Sequence, residues 1–154
     1  STGAASGTDS VQFTASTNPG IPSGPISKIA SGGELARFML ALKVALAEAS
    51  DPLTMVFDEV DAGVGGAVAE AVGSRLKLLA ESGQVLVVTH SPQVAACGNH
   101  QWLISKSVDG DNTMTRVDEL STQSREEEIA RMLSGALVTE EARAAAVRLL
   151  GGQL

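Results

Sequence analysis

An acidic pair, Asp58-Glu59, closes the apolar run Leu53-Thr54-Met55-Val56-Phe57. Strands in a core avoid carboxylates, because an unpaired buried charge is costly. Two acids at the exit of such a strand can instead reach solvent or a cation. Successive strand residues point to opposite sides, so the pair cannot play one duplicated role. One can bind Mg²⁺, usually through its waters. The other can orient and deprotonate an attacking water. The plainer alternative makes both of them loop carboxylates, one capping a turn.

Two further groups have comparable potential. Ser31-Gly32-Gly33-Glu34 fits a capping box ahead of an apolar helix. A capping box does not need two glycines in its middle, however. Paired glycines let backbone N–H groups approach a phosphate at a helix N-terminus, where the dipole favours anions. His90 ends a second apolar run, Val85-Leu86-Val87-Val88-Thr89, where an imidazole could hydrogen-bond a phosphate or an attacking water. Its alternative is a structural histidine bonded to Ser91 or a carboxylate. Zinc is disfavoured, since His100 makes no ligand spacing with His90 and Cys97 lacks a second cysteine. Gly-x-Ser-x-Gly, the serine-hydrolase elbow, does not occur.

The elements that must position these groups can be read along the chain. Residues 1–25 form a linker and edge-strand segment rich in Gly, Ser, Thr and Pro, with a strand-like run Val11–Ala15 and a turn at Asn18-Pro19-Gly20. A lobe over 26–154 follows. Leu35, Phe38, Met39, Leu42 and Leu46 lie at helical spacing, and Asp51-Pro52 breaks that helix. Leu53–Phe57 reads as a buried strand, and Gly63-Val64-Gly65-Gly66 leads to a helix from about Ala67 to Ala80. Val85–Thr89 is a second strand, and Ser91-Pro92 opens a short helix to Cys97. Gln101–Ser107 and Met114–Leu120 read as a hairpin around Asp109-Gly110-Asp111-Asn112. Ser124 and Glu127 suggest a capping box for a helix through Leu133, and a last helix runs from about Thr139 to Leu150. Strands separated by helices predict an α/β domain with a mostly parallel sheet, flanking helices and an antiparallel edge hairpin. Ligands in such sheets sit outside the carboxyl ends of strands. There the acid pair and His90 would share one crevice if their strands are near neighbours.

Composition narrows the classes of function. At 154 residues, 44% apolar and 3% aromatic, the chain suits one domain with an aliphatic core and few surfaces for stacking bases. A net charge of -7 argues against this segment wrapping nucleic acid by itself. The single cysteine points to a reducing, cytoplasmic setting. No apolar stretch reaches the roughly 18 residues of a membrane span, and residues 1–7 lack the features of a signal peptide. The missing initiator Met suggests a segment of a longer protein.

The order of the three groups is more telling than any of them singly. Ser31 precedes Asp58 by 27 residues, and His90 follows Glu59 by 31, which suits two successive strand-and-helix units. With Lys28–Arg37, Phe57–Gly63 and Val88–Ala96, the chain resembles the C-terminal head segment of ABC-type ATPases of the SMC class. That resemblance implies a C-terminal ATPase head lobe using ATP and Mg²⁺. Ser31, Gly32, Gly33 and Glu34 would be the signature motif touching the ATP of an opposing head. Asp58 would hold Mg²⁺, Glu59 would be the general base and His90 the switch histidine, with Asp61 near the interface between heads. The implied partners are an N-terminal head lobe carrying the P-loop, a second head in a homodimer, and DNA through the full-length protein, in double-strand-break repair and recombination. A non-catalytic interaction or regulatory lobe is the alternative. A transporter fragment fits less well, because transporters usually have Gln at Glu34 and Pro-Thr at Val60-Asp61. The sequence also departs from the SMC pattern, whose D-loop aspartate would fall near Gly65.

No Gly-x-x-x-x-Gly-Lys-Ser/Thr occurs, and no Gly is followed by Lys. The purified chain alone is therefore expected neither to bind ATP tightly nor to hydrolyse it. Measurable turnover in a phosphate-release assay would overturn this expectation.

Overall fold

A computed structural model describes residues 7, 11–16, 20, 22–29, 32–46, 54–109 and 112–151. Ser31, the turn at Asn18-Pro19, the break at Asp51-Pro52 and the hairpin turn at Gly110-Asp111 lie outside these residues. Two short strands, β1 (Thr14–Ala15) and β2 (Gly24–Pro25), pair antiparallel ahead of a single helical turn, α1 (Ile26–Ile29). The strand-like run from Val11 thus contributes only its last two residues.

Helix α2 (Gly32–Leu46) leads to strand β3 (Thr54–Asp58), helix α3 (Gly66–Leu79) and strand β4 (Gln84–Val88). β3 and β4 are parallel neighbours joined by the α3 crossover, in a register running from Thr54↔Gln84 to Asp58↔Val88. Helix α3 is buried along Ala69, Val72, Gly73, Leu76 and Leu79, a three-and-four spacing that lays one stripe on the sheet. With Leu40 of α2, Val60 and Val94, these side chains form the first core, against which Met55, Phe57, Val85 and Val87 pack. Burying a side chain such as Leu79 contributes roughly 1.5–3 kcal/mol. β3 is covered on one face only: Val56 is 68% exposed, where the apolar run predicted a strand buried throughout. Among the described residues the core lies on the Met55 and Phe57 face, and no layer covers Val56 on the other.

Helix α4 (Pro92–Cys97) follows β4 directly, capped by Ser91, whose hydroxyl accepts from the Val94 amide. Strands β5 (Trp102–Asp109) and β6 (Asn112–Glu119) form the expected hairpin. Among the described residues it is a separate two-stranded sheet and not an edge of the parallel one. Its eight-residue register satisfies each strand with the other, and neither outer edge meets β3 or β4. Helices α5 (Thr122–Ser134) and α6 (Glu140–Gly151) complete the chain. The N-cap of α5 is Ser121, which accepts from the Ser124 amide, so the helix starts one turn before the predicted Ser124. Ser-x-x-Ser is a weaker sequence signal than Ser-x-x-Glu, but its first hydroxyl reaches the free amide equally well.

Ile129 and Ala130 of α5, Ala142 and Ala146 of α6, and Ala96 of α4 form a second core. Arg125 binds α5 to α4 by donating to the carbonyls of Ala95 and Ala96 at 3.2 and 2.9 Å, and to Gly98. A cation at the C-terminal carbonyls of a helix meets the negative end of its dipole. Burial pulls the Arg125 guanidinium below its ordinary range. On the opposite side, α3 and α4 touch at Gly73, where a Cβ would lie 2.6 Å from Cys97 Sγ and 3.3 Å from Gln93 O. Burial pushes the Cys97 thiol up, which leaves it a packing residue and a poor nucleophile.

Gly73→Ala is therefore expected to destabilise the fold by about 1–2 kcal/mol, since overpacking outweighs the gain in helix propensity. Urea unfolding of Gly73→Ala with and without Cys97→Ala checks this. The second substitution should recover part of the loss by removing the sulfur.

Candidate functional site

The parallel register brings the acid pair and His90 to one edge. Asp58, the last residue of β3, lies opposite Val88, the last of β4, and both strands then turn. The Glu59 amide donates to Val88 O at 3.4 Å, extending the ladder by one bond. Thr89 and His90 follow on the neighbouring strand. Asp58, Glu59 and His90 are all exposed there, as groups meant to meet a ligand must be.

Glu59 has φ 53, in the left-handed region, and is the one non-glycine with positive φ among the described residues. A side chain with a Cβ is disfavoured there, so the chain around it must impose the conformation. The restraints are visible. Val60 is fully buried in the first core, the Ala62 amide donates to Glu59 O at 2.9 Å, and the Val64 amide donates to Asp61 O at 3.3 Å. The turn thus releases Glu59 from the strand's alternation and leaves it exposed directly after Asp58.

Asp61, expected near an interface between heads, is directed inward and is 8% exposed. Its Oδ2 accepts from the Thr89 hydroxyl and, at 3.2 Å, from the Ser91 amide. The two residues that flank His90 are thereby held by one carboxylate, which no sequence spacing signals. The Ser91 hydroxyl is occupied by Gln93 and the Val94 amide, and the His90 ring makes no hydrogen bond among the described residues.

The glycine-rich start of α2 meets the same turn. A Cβ on Gly33 would lie 3.0 Å from Ala62 O, so a larger residue there would press on the turn. Arg37 Nη1 donates to that oxygen at 3.1 Å. Gly32 opens the helix, and Glu34 is half-buried in its first turn. Neither Arg37 nor Ala62 has a chemical role that sequence could flag. The link appears only when the two elements are folded together. The departure at Gly65 falls on the N-cap of α3, at φ -149. This is extended backbone that an aspartate could adopt equally well.

The donor set suits a metal brought with a substrate. Mg²⁺ takes hard oxygen ligands, commonly one or two carboxylates completed by phosphate oxygens and water. Asp58 offers such an oxygen at an exposed strand end. No group of three His, Cys, Asp or Glu side chains among the described residues could hold an ion unaided. An open hollow of about 360 Å³ lies between α2 and β3, lined by Ala36, Met39, Lys43 and the strand from Met55 to Asp58.

Glu59→Gly should relieve the left-handed strain by roughly 1–2 kcal/mol, partly offset by about 0.5–1 kcal/mol of added chain entropy. Thermal unfolding is expected to show a small rise in Tm, whereas an unstrained Glu59 would give a fall.

No family model matches the chain. It is 48% identical over 144 residues to the DNA repair protein RecN of Vibrio cholerae, covering 94% of this chain and 26% of that protein. The RecN of Streptomyces coelicolor is 50% identical, covering 94% of this chain and 25% of that protein. The RecN of Rickettsia felis is 49% identical, covering 95% and 27%. The chain thus spans about a quarter of the length of the curated relatives it matches. A solved structure from work on the ATP-driven dimerization and DNA-stimulated activation of SMC ATPases superposes with a TM-score of 0.52 at 22% identity, covering 77% of this chain and 70% of that one. The α/β fold of an SMC-type ATPase head is therefore shared. Along nearly its whole length the chain belongs with RecN, as a C-terminal segment of that family.

Proposed function

We propose that this lobe is the hydrolytic half of an ATPase head that works in DNA double-strand-break repair and recombination. The observation that carries the reading is the shared edge: two parallel strands in register end in Asp58-Glu59 and in Thr89-His90. The α2 N-terminus presses on the same turn at Gly33. Two of the motifs thus follow paired strand ends, and the start of α2 packs against the turn after the first of them, which supports the reading.

Each residue has a role suited to its place. Asp58 would hold Mg²⁺, which supplies charge neutralisation on the phosphates. Glu59, turned out of the strand, would orient the attacking water and accept its proton. The exposed His90 would hydrogen-bond the terminal phosphate or that water. Ser31 with Gly32, Gly33 and Glu34 would receive the γ-phosphate of ATP held by an opposing head, using amides at the start of α2. The P-loop would come from an N-terminal head lobe, which fits a β3 that leaves Val56 and the hollow beside α2 open. ATP would drive homodimerisation of heads, and hydrolysis would release it. DNA would be met through the full-length protein, because a lobe of this composition is acidic. Among the described residues no helix is long and apolar enough to cross a membrane. We place the whole protein in the bacterial cytoplasm, at the nucleoid.

In the full-length protein, Glu59→Gln should lower ATP turnover by roughly 10²–10⁴-fold, the usual range for loss of a general base, while ATP-dependent dimers persist. Steady-state ATPase assays with light scattering test this. Unchanged turnover would remove Glu59 from the role and favour a non-catalytic interaction lobe.

A further inference from the structure

We infer that Asp61 is the positioning residue of this site, setting where His90 stands relative to Glu59, and is not itself a ligand of nucleotide or of a second head. The inference rests on the ATPase reading above. Asp61 lies two residues after Glu59 and is 8% exposed, so its carboxylate is withdrawn from the rim on which Asp58, Glu59 and His90 lie. One of its oxygens accepts from the hydroxyl of Thr89 and from the amide of Ser91. The Ser91 amide also donates to Thr89 Oγ1 at 2.9 Å, which closes a three-membered polar cluster around the His90 backbone.

The chemistry favours a positioning role. A buried carboxylate is costly unless its charge is met by hydrogen bonds, and no ion pair reaches Asp61 among the described residues. Its stabilisation therefore comes from Thr89, Ser91 and the turn itself. Charge-assisted hydrogen bonds are shorter and about twice as strong as neutral ones. A carboxylate consequently fixes the loop more firmly than a neutral amide of the same shape. The other end of the link is equally constrained: Val60 is fully buried, and Glu59 is held in its left-handed turn two residues away. The base and the histidine come from different strands. Beyond the last ladder bond, from the Glu59 amide to Val88 O, Asp61 makes the hydrogen bonds that join their two loops among the described residues.

The test uses the full-length protein, comparing Asp61→Asn, His90→Ala, the double variant, Thr89→Val and Thr89→Ser. Asp61→Asn should lower kcat by about 10- to 100-fold, as for other groups that orient a functional side chain. KM for Mg-ATP and ATP-dependent dimerisation should be unchanged. The double variant should be no slower than His90→Ala, because Asp61 acts through that residue. Thr89→Val should reproduce most of the loss and Thr89→Ser should recover it, which keeps the question open to test if Asp61→Asn folds poorly. Hydrogen exchange should show the Ser91 amide losing protection in Asp61→Asn, a readout independent of turnover. Multiplying losses in the double variant, a changed KM or dimerisation with kcat retained, or a Ser91 amide that stays protected would overturn the inference. Those results alongside an inactive Glu59→Gln would sink it alone, whereas full turnover in Glu59→Gln would sink the ATPase reading.

Discussion

Parallel pairing of β3 with β4 is the constraint from which the rest of the lobe follows. Two parallel strands cannot be joined by a tight turn, so a crossover must run back along the sheet, and α3 does so with its Ala69-Val72-Leu76-Leu79 stripe inward. Once Asp58 stands opposite Val88, the polar residues after each strand emerge at the same height. A slip of one residue would move Met55 and Phe57 from the core face to solvent. The packing that selects the register is therefore the packing that assembles the rim.

At that rim the chain breaks two of its own rules within three residues. Glu59 adopts a backbone region that favours glycine, and Asp61 buries a carboxylate. Away from the site, local preferences and tertiary structure agree: serines cap α4 and α5, and apolar stripes face the cores. Conflicts of this kind gather where a protein needs a geometry that propensity alone would not supply.

Much of this was legible in the sequence. Helical spacing located α2, the Ser91-Pro92 signal located α4, and the polar strand ends put the acid pair and His90 in one crevice on the condition that their strands are neighbours, which the pairing of β3 with β4 meets. The unread features are pairwise and distant. The contacts of Arg37 with Ala62 and of Asp61 with Thr89 join residues 25 and 28 positions apart, and they depend on how two loops happen to face. The separateness of the hairpin among the described residues was equally hidden, because a short turn pairs β5 with β6 but does not say whether their outer edges join another sheet. Exposure of Val56 reflects which face of the sheet is covered, which a run of apolar residues does not encode.

Helix α4 has only six residues, fewer than a helix needs to persist unaided. Its stiffness is borrowed from two sides, since Val94 belongs to the first core and Ala96 to the second, with Arg125 gripping its last carbonyls. His90 stands two residues before this short rod begins, between Thr89 and Ser91, which Asp61 holds. The firmness of that loop is consequently a property of the entire lobe. Softening the α5–α6 pair around Ala146 would slacken a side chain that no residue of that pair needs to touch.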